Sequence, residues 1–205
     1  YIPNASATGL AAHPTNIVML TADAFGVLPP ISMLTPEQAM YHFLSGYTAR
    51  VAGTERGVKE PQATFSTCFG APFMPRRPTV YASLLGDLMR RHRVNCWLVN
   101  TGWVGGSFGI GQRMPLPATR RLLDAALSGE LAGVTMRREP TFGLLVPQGC
   151  RDVDSHLLDA RASWSDHHAY DRAANDVARR FETNFAKFQT QVDGEVRAAG
   201  IRAAA

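Results

Sequence analysis

A chain of 205 residues, 45% hydrophobic and 19% charged, suits a globular class and is long enough for one domain with its own core. No apolar run reaches the length of a membrane span, and the opening "YIPNASATG" lacks the basic start and apolar stretch of a signal peptide. The formal charge of +4 comes from arginine pairs scattered along the chain, not concentrated on one element among aromatics, so neither nucleic acid nor membrane is expected as a partner.

Cys68, Cys96 and Cys150 are few, odd in number and widely spaced. They argue for a reducing, cytoplasmic setting and against a disulfide frame or a zinc site. In chain order, Ile17 to Leu20 form a short apolar run suited to a buried strand, which breaks into a turn ending at Pro29-Pro30. Thr35, Pro36 and Gln38 then make a capping box, predicting a helix to about Ser45 that Gly46 ends. Residues 53–62 read as a polar loop, and "ATFSTCFGAPFM" as a β-rich aromatic segment packed inside. "TVYASLLGDLMRRHR" predicts a helix with Val80, Leu84, Leu85, Leu88 and Met89 on its apolar face. "VNCWLV" and "FGLLVP" read as buried strands, and "PATRRLLDAALSGEL" as a helix with Pro117 near its start. A long helix from Tyr170 to Gln191 carries Ala174, Val177, Ala178, Phe181, Phe185 and Phe188 as a docking stripe. The final "RAAGIRAAA" reads as frayed. Helices alternating with short strands define an α/β class.

The stretch with the least obvious purpose is "NTGWVGGSFGIGQRM", Asn100 to Met114, with five glycines in fifteen residues. It lacks the lysine and hydroxyl of a phosphate-cradling loop and the G-x-G-x-x-G spacing of a dinucleotide fingerprint. Local reading therefore favours a structural glycine turn, unless Arg113 faces a ligand: a guanidinium plane can stack on a nucleobase. Adjacent His167 and His168 point to different sides of a helix and read, with Asp166, as a helix start, not as metal ligands. Asp23 follows a strand, where α/β sites gather, although a turn-stabilising aspartate is the commoner case.

Longer stretches carry more. "LTADAFGVLPPISMLTPEQAMYHFLSGYTARVAGTERGVKEPQATFSTCFGAPFMPRRPTVYASLL", "NCWLVNTGWVGGSFGIGQRMPLPATR", "VDSHLLDARASW" and "NFAKF" together resemble the ATP-dependent phosphoenolpyruvate carboxykinases over nearly the whole chain. The resemblance implies the C-terminal part of that family's mononucleotide-binding domain, a mixed β-sheet with flanking helices. It implies a gluconeogenic reaction: oxaloacetate is decarboxylated and the γ-phosphoryl of ATP transferred, giving phosphoenolpyruvate, ADP and CO2. By position, Arg113 matches an arginine packing against adenine, Met114 a residue touching the base through its backbone, and Thr119 a hydroxyl bonding the nucleotide. Residues 100–119 would form the nucleoside pocket, and residues 53–66, with Gly53, Thr54, Glu55, Arg56 and Gly57, the active-site lid.

The family's phosphate loop, its Mg2+ or Mn2+ ligands and its oxaloacetate-binding residues are expected upstream, in an N-terminal part of the same protein. On this expectation no catalytic residue and no metal ligand lies in the chain, and the piece alone gives no turnover. Ala160 departs from the proline usual in the family, and "YIPNAS" is shorter than expected. The competing expectation is a non-catalytic nucleotide-binding or interaction module built on the same domain.

Overall fold

The computed structural model describes residues 2–50 and 60–204. Its regular structure runs β1 (Asn16–Thr21), β2 (Ile31–Leu34), α1 (Pro36–Ser45), β3 (Tyr47–Arg50), β4 (Gln62–Phe65), α2 (Pro78–His92) and β5 (Asn95–Asn100). It continues with β6 (Trp103–Val104), β7 (Gln112–Arg113), α3 (Leu116–Leu127), β8 (Met136–Arg138), β9 (Leu145–Pro147), α4 (Ser155–Leu158), α5 (His167–Phe185) and α6 (Gly194–Ala198).

A strand with an unbroken apolar run must be covered on both faces. β5 is such a strand, and it lies inside a five-stranded mixed sheet of order β1-β5-β2-β9-β8. β1 runs parallel to it, from Asn16 opposite Asn95 to Thr21 opposite Asn100. β2 runs antiparallel on its other side, and β9 and β8 extend the antiparallel portion. Because strand side chains alternate, Cys96 and Leu98 enter one core with α1 and α5, while Trp97 and Val99 enter a second with α3. The mixed sheet with flanking helices is thus present.

α1 forms as its capping signals dictate. Thr35 Oγ1 accepts from the Gln38 amide and Gln38 Oε1 accepts from the Thr35 amide, both at 3.2 Å. Gly46 ends the helix at φ 57°, and a Cβ there would stand 1.7 Å from the Ser66 carbonyl oxygen. The aromatic stripe of α5 is buried throughout, although the helix begins at His167 and passes into a 3-10 turn at Ala186–Phe188.

Three expectations are corrected. On α2 the buried residues are Ala82, Gly86 and Met89, whereas Val80, Leu84 and Leu88 are 45%, 54% and 39% exposed. Of the expected face, Met89 is buried and Leu85 packs partly buried against the core. The close approach at Gly86, where a Cβ would lie 2.6 Å from Met40 Sδ, turns the contact with α1 toward Ala82 and Gly86 and leaves Val80, Leu84 and Leu88 outside it. The segment after β4 breaks into 3-10 turns at Thr67–Phe69 and Ala71–Phe73, which carry Phe69 and Phe73 to the surface. The C-terminal stretch is tied down: Ile201 is buried, and the Ala204 amide donates to Asn175 Oδ1 at 2.8 Å. No helix of the described residues is long and apolar enough to cross a membrane.

Candidate functional site

β1 and β5 are parallel and end side by side, and ligand sites in α/β proteins gather beyond such carboxyl ends. Asp23 and Asn100 lie there, beside the buried Thr21 that ends β1. Asp23 has no exposed surface. Its Oδ1 accepts from the Phe25 amide at 2.9 Å and the Tyr47 hydroxyl at 2.8 Å. Its Oδ2 accepts from the Val27 and Leu28 amides at 2.7 and 2.9 Å. Burial pushes the carboxyl above its ordinary range, and the four donors oppose that rise by favouring the ionised form. Burial and the adjacent carboxylate also hold the Tyr47 phenol well above its usual value, so it remains a donor.

Asn100 completes the knot. Its Oδ1 accepts from the amides of Asp23 (3.0 Å) and Gly102 (2.8 Å), and its Nδ2 donates to the Leu28 carbonyl at 3.0 Å. The Trp103 amide donates to the Asp23 carbonyl at 2.8 Å, and the Phe108 amide to the Ala24 carbonyl at 3.0 Å. These contacts explain the glycines. A Cβ at Gly102 would sit 2.1 Å from the Asp23 carbonyl oxygen, and one at Gly26, 2.2 Å from that of Gly106. The glycine-rich loop lies backbone to backbone on the turn that Asp23 organises.

The loop closes as a small hairpin in which Trp103 and Val104 of β6 face Arg113 and Gln112 of β7. Arg113 is exposed, and its guanidinium carbon lies 4.8 Å from the centroid of the Trp103 ring. Trp103 is 7% exposed and meets Phe108 edge to face at 5.6 Å. Met114 is buried, with its amide donating to the Gly102 carbonyl at 2.8 Å. Thr119, in the first turn of α3, is buried too, and its hydroxyl donates to the Pro115 carbonyl at 3.3 Å. The structure therefore brings Arg113 and Met114 to the end of one hairpin and sets Thr119 a turn into the next helix.

Gly53, Thr54, Glu55, Arg56 and Gly57 lie outside the described residues. The strands flanking them, β3 and β4, pair from Tyr47 opposite Phe65 to Arg50 opposite Gln62. Tyr47 thus fastens the root of that hairpin to Asp23. Asp166 caps α5 by accepting from the His168 and Ala169 amides, which gives the Asp-His-His run a structural role. Well-walled hollows occur elsewhere, one of about 340 Å³ beside Tyr41, Phe185, Arg197 and Ile201, another of about 210 Å³ beside Glu139, Asp159, Arg161 and Tyr170. Arg113, Met114 and Thr119 line neither.

Trp103, Asn100 and Tyr47 were not singled out by the sequence pattern. The order "W…R" across a glycine loop carries a weak hairpin signal, but the Asp23–Asn100 contact joins residues 77 apart and has no local signature.

Comparison with known proteins bears on this arrangement. The family model described as phosphoenolpyruvate carboxykinase matches residues 1–156. A phosphoenolpyruvate carboxykinase (ATP) of Rhizobium etli strain CIAT 652 is 63% identical over 207 residues, covering 100% of this chain and 39% of the relative. Proteins of the same name from Parvibaculum lavamentivorans and from Cereibacter sphaeroides strain ATCC 17029 are 62% and 60% identical, each with 38% of its length matched. The match covers 100% and 98% of this chain respectively. The chain spans about two fifths of the length of these curated relatives.

Proposed function

The chain belongs to the phosphoenolpyruvate carboxykinase family, and on that premise we propose that it supplies the adenosine end of the ATP site in a protein that converts oxaloacetate and ATP to phosphoenolpyruvate, ADP and CO2. The observation that carries the reading is Arg113, whose guanidinium carbon stands 4.8 Å from the Trp103 ring centroid while the residue stays exposed. A guanidinium resting against an indole has its outer side open to a planar ring, and adenine is one. The Met114 amide is engaged by Gly102, so the backbone group it offers a base is its carbonyl, which suits an exocyclic amino donor. The Thr119 hydroxyl donates to Pro115, so it meets a nucleotide as an acceptor unless it rotates.

Residues 53–66 are the lid of this reading, and closing it would exclude water while phosphoryl is transferred. A divalent metal ion belongs to the reading as well. Among the described residues no three His, Cys, Asp or Glu side chains converge on a common point, so no step is assigned to a metal here. Binding adenosine without positioning phosphates and oxaloacetate gives no catalysis, so the 205 residues alone are expected to be inactive.

The test uses the full-length protein, with phosphoenolpyruvate formation followed at saturating Mg2+ and Mn2+. Arg113→Ala is expected to raise the KM for ATP about tenfold, corresponding to the loss of about 1–2 kcal/mol of stacking, with the KM for oxaloacetate unchanged. A rise confined to oxaloacetate would contradict the assignment of the pocket. No turnover by the unaltered protein would contradict the activity itself.

A further inference from the structure

Trp103 and Arg113 are directly opposed in the β6–β7 register, so their side chains stand on the same face of the hairpin. The indole is the fixed member of the pair. Its amide is held by the Asp23 carbonyl, the preceding amide by Asn100, and its ring is buried against Phe108. The arginine is the free member: exposed, with a long side chain that carries considerable rotamer entropy. A ligand that stacks on such a side chain loses affinity in ordering it, unless the protein has ordered it first.

We propose that Trp103 is a positioning residue for nucleotide binding: it holds the Arg113 guanidinium flat and aims its outer face, so that an adenine ring completes a three-layer stack of indole, guanidinium and purine. The inference rests on the reading of Arg113 as the adenine contact. The loop is folded back by its glycines so that β6 and β7 pair, and the pairing puts Trp103 as a platform beneath the arginine. Trp103 touches neither base nor phosphate in this arrangement. Its effect passes wholly through Arg113, and the double-mutant cycle between the two measures it.

The measurement is the ATP dissociation constant of the full-length protein by calorimetry, with KM and kcat for both substrates alongside. Trp103→Leu is expected to weaken ATP about threefold to fivefold, the range of a cation–π contact at an exposed site, and to leave the KM for oxaloacetate unchanged. In the Arg113→Ala background the same substitution is expected to change ATP affinity less than about twofold, since there is no guanidinium left to aim. Trp103 is buried, so a second series keeps the fold constant. Fluorinated tryptophans placed at position 103 alone preserve the ring's shape while draining its face of negative potential. ATP affinity should fall with each added fluorine when Arg113 is present and stay flat in Arg113→Ala. Equal losses in both backgrounds, or ATP and oxaloacetate weakening together, would overturn the proposal. If Arg113→Ala weakens ATP and the fluorine series is flat, Trp103 positioning fails while the pocket stands. If Arg113→Ala leaves ATP affinity intact, both fail.

Discussion

Replacing Asp23 with alanine is expected to lower the stability of the protein by about 4 kcal/mol, among the larger effects available to a single substitution. The carboxylate has no exposed surface and satisfies four donors: three amides of one turn and the Tyr47 hydroxyl. Removing it leaves those donors facing a cavity, each unpaired group costing about 1–3 kcal/mol. The expected total falls below the simple sum because water can enter the space and because the desolvation of a buried carboxylate is relieved at the same time. Urea unfolding of the full-length protein measures it, and a loss under about 1 kcal/mol would contradict the role assigned to the knot.

The same substitution carries a pH signature. Burial raises the native carboxyl above its value of 3.8 in the unfolded chain, so the native state holds that proton more tightly. The advantage of the unaltered protein over Asp23→Ala is therefore fully present below the unfolded value and declines as pH rises through the raised native one. An advantage that grew with pH across that window would mean that the four donors outweigh burial.

Gly102→Ala is the second substitution with a large expected effect, about 3 kcal/mol or somewhat more, because its new methyl meets backbone and not a flexible side chain. The Cβ would stand 2.1 Å from the Asp23 carbonyl oxygen and 2.3 Å from its nitrogen, so one chain segment must move. Three hydrogen bonds meet at this point: the Gly102 amide to Asn100, the Trp103 amide to Asp23 and the Met114 amide to the Gly102 carbonyl. Moving the segment displaces Trp103 and Met114 together. ATP binding is accordingly expected to suffer along with stability, whereas Asp87→Ala, on an exposed turn of α2, should alter neither. Thermal unfolding and calorimetry with ATP read the two effects. An unchanged transition with unchanged ATP affinity would show that the contact between turn and loop is not required.

Much of the fold could be read locally where the physics is local. The α1 capping box needs only Thr35, Pro36 and Gln38, and the α5 stripe only a 3.6-residue period, so both were legible. β2, β3, β4 and β8 are three or four residues long and too short to show a period. β2 is further masked by the prolines before it and the helix cap after it. On α2 the period was present and placed Leu85 and Met89 correctly, but the face is rotated away from Val80, Leu84 and Leu88 because packing chose the side that Gly86 opens to Met40. The candidate site divides in the same manner. Arg113, Met114 and Thr119 came from resemblance to a family, not from spacing. Trp103 required the β6–β7 register, and the Asp23–Asn100 knot required the parallel pairing of β1 with β5. The pairing of β1 with β5 joins residues as far apart in sequence as Asn16 and Asn95 and leaves no trace in any local window, whereas the β6–β7 hairpin leaves only a weak one. The glycines were visible from the start, but their purpose, a loop laid against a turn, became clear only with the opposing backbone in place.

The account is tested most directly by determining the structure of the full-length protein with a non-hydrolysable ATP analogue bound. It predicts adenine lying flat on the outer face of the Arg113 guanidinium, with Trp103 on the inner face and the Met114 carbonyl within hydrogen-bonding distance of the exocyclic amine. Adenine bound elsewhere, with Arg113 facing bulk water, would contradict it.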